Sequence, residues 1–596
     1  GLDAVGQPGA LDDVQAGTGQ YTTFSLGDGS KDSAIGKDGA GKLVANPNPG
    51  KLTPVTDSSA SGSAWATGTK TYNNAVDVDI YGNPQLNLFE LAKAAGKATG
   101  NVSTAEIQDA TPAVLESHST ERACYGPQGK TDGTSNNASK QCLANQLKEN
   151  GGIGSISEQL LDTRADVTIG GGSKYFRQTV QGGEYKGKTV WEQAKDMGFQ
   201  TVENDPAAMN ALQYKDGQPV LALMSDGNMP TKFNPSKATA KDPAKDANPT
   251  VCTPNDAWLG NRGASLQDMT KKALDLLNAN PNGQKNGFLL QVEGASIDKQ
   301  DHNANACGQI GETDDFDQAI AYAIKNVDLT NTLVIVTADH AHTSQVLNAQ
   351  PAYALSTVLK SADGNNMVVS YGTAQEASTD AEGGYNGGDM EHTGTQLRIA
   401  ASGPGAQRVI GLTDQTDNFY TIAGALGLAT SPDEQNALSK DGTVKVARTQ
   451  AGYVANVDGF NGDALLSYEL KDKNGAVVSK SDSSTPLSGV RVKPAQTTSI
   501  ALDKMSEGNE YTLTVTGRQS GKVATVAIQA PAAGSADKKP GADKNGVIAS
   551  GKVPNDSAVS GPLGATGTAV MAIAIAAVML VAIAMLIKAA RNARNN

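Results

Sequence analysis

A chain of 596 residues outgrows the single hydrophobic core that usually stops at about 250–300 residues, so more than one domain is expected. Its net charge of −13 and pI near 5.0 exclude a broad nucleic-acid-binding surface, while leaving room for a local cationic site facing an anionic substrate. The four cysteines, Cys124, Cys142, Cys252 and Cys307, lack metal-type Cys-x-x-Cys spacing and read as two disulfides of an oxidising compartment, with four buried free thiols as the alternative.

In chain order, the first feature is "SLGDGSKDSAIG", where Asp28 stands in Gly-rich loop text. "TPVTDSSASGSAWATGTKTYNN" follows. Here Asp57 and Ser58 open a run of Ser, Ala, Gly and Thr, the composition of a crowded turn feeding a tightly packed helix that lets a hydroxyl approach a ligand closely. Trp65 in that helix reads as core, and His118 further on as structural, since no carboxylate cluster surrounds it. From about 85 to 430, helical patterns ("LNLFELAKAAG", "MTKKALDLLNAN", "DDFDQAIAYAIKN") alternate with short apolar runs ("GFLLQVEG", "TLVIVTADH"). That rhythm predicts an α/β three-layer sandwich with a largely parallel central sheet. "FLLQV" and "LVIV" show no polar alternation, which predicts central strands covered on both faces, with acidic residues at their carboxyl ends where such folds bind ligands.

Residues 436–530 change to strand patterns with hairpin turns, predicting a small β-sandwich, and 531–563, rich in Ala, Gly, Ser and Pro, read as a flexible stalk. Thr568–Ile587 is apolar, uncharged and about the 20 residues a bilayer requires, so a transmembrane helix is expected over 568–587. Lys588, Arg591 and Arg594 place the 588–596 tail in the cytoplasm and the rest on the extracellular face of the cell membrane. "GPLGATG" does not match a cell-wall sorting motif, and the absence of a visible signal peptide predicts a processed or truncated N-terminus.

Four of the five histidines lie in three segments dense in carboxylates: "VEGASIDKQDH" offers Glu293, Asp298, Lys299 and His302; "VTADHAH" offers Asp339, His340 and His342; "GDMEHTGTQLRIAA" offers His392. Mixed Asp/His sets suit zinc, and oxygen-only sets suit magnesium. Taken singly, each Asp-His pair is ordinary surface or capping text; three such segments together point to a metal centre. A serine beside two metals is an activated nucleophile for phosphoryl transfer, and Arg122 in "STERACYGP" is suited to clamp phosphate through two parallel hydrogen bonds.

These stretches, with "NVSTAEIQDATPA", "CGQIGETDDFD" and "EHTGTQLRIAASGP", closely resemble the bacterial alkaline phosphatase family over about residues 17–428. The resemblance implies Ser58 as phosphorylated nucleophile and Arg122 as phosphate clamp. It implies two zinc ions, one on Asp298, His302 and His392 and one on Asp339 and His340, and one magnesium on Thr111 and Glu293. Asp109 and Lys299 would stand behind the magnesium, and His342 beside the first zinc set. It also implies the bridges Cys124–Cys142 and Cys252–Cys307, and a homodimer. A further aspartate that bridges the second zinc and magnesium in the family would precede "TGQYTTFSL", so a missing N-terminal strand is expected in the 1–430 catalytic domain; the disfavoured alternative is that Asp28, otherwise a residue of a Gly-rich turn, substitutes as the ligand.

The function expected is hydrolysis of small phosphate monoesters at alkaline pH through a phosphoserine. A sulfatase is disfavoured because Ser58 is followed by Ser59, Ala60 and Ser61 instead of a Cys/Ser-x-Pro-x-Arg setting. The alternative of another class is a catalytically impaired cell-surface binding protein on a phosphatase scaffold.

Overall fold

The computed structural model describes residues 9–27, 35–37, 43–45, 52–128, 140, 142–258, 264–374, 390–449, 452–531 and 546–554. Its α/β part is organised around two sheets. The strands are β1 (Gly17–Thr22), β2 (Ala98–Glu106), β3 (Val167–Gly171), β4 (Gln200–Glu203), β5 (Val220–Leu223), β6 (Phe288–Glu293), β7 (Val334–Thr337), β8 (Leu397–Ser402) and β9 (Gly411–Asp414). The larger sheet, in the order β6-β2-β3-β5-β4, is parallel throughout, as expected. The second, β7-β8-β1-β9, is mixed, with β1 antiparallel to β8 and parallel to β9.

Helices cover the larger sheet on both faces. Those used below are α1 (Ser58–Thr67), α2 (Leu88–Ala94), α3 (Ala110–Ala113), α4 (Ile156–Thr163), α5 (Leu266–Ala279), α6 (Ser296–His302) and α7 (Ala306–Asn326). Leu266, Met269, Ala273 and Leu277 of α5 pack on Val102, Val167 and Ile169, while Leu160 and Leu161 of α4 join Leu221 and Leu223. Each such buried aliphatic side chain contributes about 1.5–3 kcal/mol. The central strand β2, ATGNVSTAE, is buried at all nine positions although more than half of them are polar or glycine.

Three expectations are corrected. Neither "FLLQV" nor "LVIV" is a central strand among the described residues, where β6 and β7 each form the edge of a sheet; all six residues of β6 are half-buried, and Thr337 of β7 is exposed. An apolar run reports strand propensity, not the number of neighbours.

The second concerns the stalk. Part of 531–563 is a strand of the C-terminal β unit, whose strands are β10 (Thr443–Thr449), β11 (Gly452–Asp458), β12 (Leu465–Asp472), β13 (Val477–Lys480), β14 (Val490–Arg491), β15 (Thr498–Ala501), β16 (Glu510–Gly517), β17 (Val523–Gln529) and β18 (Val547–Lys552). The sheets β15-β11-β10-β18 and β13-β12-β16-β17 share one core that includes Val444, Val446, Leu466, Leu470, Leu513 and Val526. β18 pairs antiparallel with β10, because an edge strand needs only backbone partners on one side and tolerates the Ser and Gly of "VIASGK".

The third is the anchored location on the extracellular face. Among the described residues no helix is long and apolar enough to cross a membrane. The longest, α7 at 21 residues, carries Glu312, Asp314, Asp315 and Asp317. The 568–587 segment and the tail behind it lie outside the described residues, as does Asp28.

Candidate active site

The site forms where the helix of small residues meets the carboxyl ends of β6 and β7. Helix α1 is buried along nearly its whole length, which is why it is built from Ser, Ala and Gly: a Cβ added at Gly62 would lie 2.9 Å from Val114. Trp65 is half-buried against the same core. Asp57 caps the helix, its Oδ1 accepting from Ala60 N at 2.9 Å. Ser58 thereby occupies the first helical position with its hydroxyl facing His340, Oγ to Nε2 2.9 Å. One turn on, Ser61 Oγ donates to the Asp339 carbonyl at 2.7 Å, as does Gln415 Nε2 at 2.8 Å, tying α1 to the segment after β7.

Four donors converge beside Ser58: Asp298 and His302 from α6, His342, and His392. His302 Nε2 lies 3.0 Å from His392 Nε2 and 3.5 Å from Asp298 Oδ1, and His392 Nε2 lies 3.6 Å from that oxygen. His392 Nδ1 faces the Thr56 carbonyl at 2.9 Å, which puts its proton there and leaves Nε2 as a lone pair. His302 Nδ1 is buried without a hydrogen-bond partner among the described residues. Two imidazole nitrogens and a carboxylate oxygen sharing one small space is a donor set that fits a zinc ion. His342 Nε2 donates to Asp298 Oδ1 at 2.6 Å, so it orients the carboxylate and stands within the same cluster.

The electrostatics agree with this reading. Burial opposes ionisation of Asp298, but the His342 hydrogen bond and the surrounding imidazoles hold its carboxyl well below the usual carboxylate range. Burial pushes His340 down to about 4, leaving it neutral, with Asp339 Oδ2 3.2 Å from its Nε2. Burial likewise lowers His302.

The cationic side of the site is Arg122. Its Nη1 donates to Asp57 Oδ2 at 3.0 Å and its Nη2 to Asp109 Oδ1 at 2.8 Å. Asp109 also accepts from Tyr125 Oη at 2.8 Å and, on its other oxygen, from Lys299 Nζ at 2.6 Å. Burial works against the Asp109 charge, yet Lys299 and Arg122 keep it far below the ordinary value. Glu293, at the end of β6, accepts from Ser103 Oγ at 2.5 Å, and burial raises it to about 7. Thr111 lies on α3, two residues after Asp109, and its carbonyl accepts from Gln291 Nε2 at 2.9 Å. Glu293 and Asp109 are thus joined through Lys299, whose charge both carboxylates support.

Both disulfides are present as Cys124–Cys142 and Cys252–Cys307, the first two residues after Arg122 and the second fastening the start of α7 behind His302. Sequence reasoning missed what Asp57 does: its Oδ2 also accepts from Ser59 Oγ at 2.8 Å and Asn74 N at 3.0 Å, so one carboxylate holds both helix cap and arginine. The Asp-Ser adjacency was the available signal. His118 is structural as expected but not for lack of a carboxylate, because Glu90 Oε1 meets its Nε2 at 2.9 Å.

A family model described as alkaline phosphatase matches residues 42–428. The alkaline phosphatase of Escherichia coli is 49% identical over 414 residues, 69% of this chain and 78% of that protein. Alkaline phosphatase H of Pseudomonas aeruginosa is 48% identical over 422 residues, covering 69% of this chain and 77% of its own length. The crystal structure of Thermus thermophilus alkaline phosphatase aligns at a TM-score of 0.46 and 20% identity, over 70% of this chain and 85% of that one.

Proposed function

The chain belongs to the alkaline phosphatase family and hydrolyses phosphate monoesters with bound metal, and on that premise we propose that Ser58 is the nucleophile and Arg122 the phosphate clamp. The observation that carries this is the contact of Ser58 Oγ with His340 Nε2 at 2.9 Å: the His340 ring stacks on His392 of the donor cluster at 3.5 Å, and Asp57, the residue before Ser58, holds Arg122 Nη1 at 3.0 Å.

In this reading Asp298, His302 and His392 hold one zinc, Asp339 and His340 with Ser58 a second, and Thr111 and Glu293 a magnesium, with Asp109 and Lys299 behind it. Bound there, the cations neutralise phosphoryl charge and favour the Ser58 alkoxide. Arg122 offers two parallel N–H groups to non-bridging phosphate oxygens, held in aim by Asp57 and Asp109. Ser58 Oγ attacks phosphorus in line; the Ser–O–P bond forms as the ester P–O bond breaks, and the alcohol leaves with a proton. Water then attacks phosphorus from the same side the alcohol left, the Ser–O–P bond breaks, and inorganic phosphate departs. Arg122 serves both steps because both pass through a charged phosphoryl group.

We further infer that 1–430 is the catalytic unit and that it assembles as a homodimer, which light scattering of the purified chain checks. The convergence of Asp298, His302, His342 and His392 weighs against a binding-only scaffold. The deciding experiment is hydrolysis of a chromogenic phosphate monoester at pH 8–10 with zinc and magnesium, beside Ser58→Ala. The variant is expected to lose at least roughly 10³-fold in turnover. Equal rates in the two proteins would overturn the assignment of the nucleophile.

A further inference from the structure

The C-terminal β unit meets the α/β part through an apolar cluster that joins Leu465 and Leu487 to Tyr72, Ala75 and Val78, and through a buried charge. Arg491 on β14 is only 6% exposed. Its Nη2 donates to Thr163 Oγ1 of α4 at 2.8 Å and lies 3.2 Å from Glu90 Oε1 of α2. Both partners lead to one stretch of chain. Thr163 Oγ1 donates to the Glu116 carbonyl at 2.8 Å. Glu90 Oε1 receives His118 Nε2, while His118 Nδ1 bonds the Asp77 carbonyl at 3.0 Å, so both ring nitrogens face acceptors.

From there the route to Arg122 is a short ladder. Val76 and Ser119 exchange backbone hydrogen bonds of 2.8 and 2.9 Å, and Arg122 N donates to the Asn74 carbonyl at 2.8 Å. Asn74 N in turn donates to Asp57 Oδ2, the oxygen that receives Arg122 Nη1. The 74–77 and 116–122 segments are therefore fixed to each other, to the clamp and to the cap of the nucleophile's helix. Asp77 adds a link to α1 itself, its N donating to Ser63 Oγ at 2.8 Å.

Stability alone does not require a guanidinium at this place. Arg491 Nε and Nη1 are buried without partners among the described residues, and replacing a buried ion pair by an apolar side chain of similar size is often neutral or stabilising. What the charge adds is direction: it fixes Glu90 against His118 and Thr163 against Glu116 at once.

We propose that Arg491 is a positioning residue for the phosphate clamp, so that the C-terminal β unit sets phosphate affinity in a site it does not touch. This rests on the reading of Arg122 as that clamp. The test uses the full, metal-loaded chain and measures kcat and KM for a chromogenic phosphate monoester and the inhibition constant of inorganic phosphate. The parent is compared with Arg491→Met, Arg491→Lys and Arg122→Ala, and the fold is checked by circular dichroism and thermal midpoint.

Arg491→Met is expected to raise KM and the phosphate inhibition constant about 3- to 10-fold with kcat changed less than about twofold, since a displaced binding group costs orientation. Arg491→Lys should recover part of the loss, because an ammonium can reach Glu90 but cannot span Glu90 and Thr163 as a planar fork. An unchanged inhibition constant in Arg491→Met, with a raised one in Arg122→Ala, overturns the proposal. No rise in Arg122→Ala overturns the clamp assignment instead. Should Arg491→Met fail to fold, Thr163→Val cuts one of the two links and Glu90→Gln removes the charge from the other, and unchanged phosphate inhibition in both overturns the proposal equally.

Discussion

Replacing Glu116 by glutamine tests whether the electrostatics of the sheet interior are understood. Glu116 is fully buried; its Oε1 accepts from Asn101 Nδ2 at 2.8 Å and Thr168 Oγ1 at 3.2 Å, neighbours in register on β2 and β3. Burial raises its carboxyl from the ordinary 4.5 to about 8, against the pull of those two hydrogen bonds. Between these values the folded chain keeps a proton that the unfolded chain has released, so stability falls as pH rises. Across about 3.5 pH units at about 1.4 kcal/mol each, the loss approaches 5 kcal/mol and is complete above pH 8. Glutamine keeps the accepting oxygen and cannot ionise. Its buried NH₂ costs about 1–3 kcal/mol at every pH alike, which shifts the curve without tilting it. Thermal midpoints of both proteins between pH 5 and 9 should therefore diverge, with the variant gaining several degrees on the parent over that range. All other titrating groups are shared and cancel in the difference. Parallel curves would refute the reasoning, because they would mean that Glu116 is ionised in both states throughout.

Two further substitutions probe the site itself. His302→Ala removes one of the converging donors, and elemental analysis should find about one zinc fewer per chain, with turnover recovering partly in excess zinc; an unchanged metal content would exclude His302 as a ligand. Asp57→Ala deletes the helix cap and an Arg122 partner together, so a stability loss of about 1 kcal/mol by denaturant titration should accompany weaker inhibition by inorganic phosphate. Loss of stability with unchanged phosphate inhibition would show that Asp109 alone suffices to aim Arg122.

The chemistry was legible because it is written in contiguous pieces. Asp298 and His302 are four apart and so share one helix face; Asp339 and His340 follow a strand end; Asp57 caps the helix that Ser58 begins. What joins such pieces was not legible. Glu90 and His118 lie 28 residues apart, and Arg491 reaches Thr163 across 328, separations at which no local pattern distinguishes partners from bystanders. The edge positions of β6 and β7 escaped for a related reason: hydrophobic runs describe what a strand can bury, and its neighbours decide what it does bury. β18 was hidden because biased composition over residues 530–546 separates it from β17, the strand before it, so that a six-residue strand read as linker.

The site gathers its precision from sharing, not from the strength of any one contact. Asp57 is at once a helix cap, an arginine partner and an acceptor for the Asn74 amide, so Ser58 and Arg122 cannot drift independently. Asp109 repeats the device on the other side, taking Arg122 and Tyr125 on one oxygen and Lys299 on the other. A guanidinium balanced between two carboxylates is already desolvated and aimed before phosphate arrives, so the cost of ordering it is met in folding and does not recur at each turnover. That arrangement places a demand on the backbone beneath it, since an error in the 74–77 or 116–122 segments would reach Ser58 and Arg122 together. The buried Arg491–Glu90–His118 chain lies under those two segments, where such an error would begin.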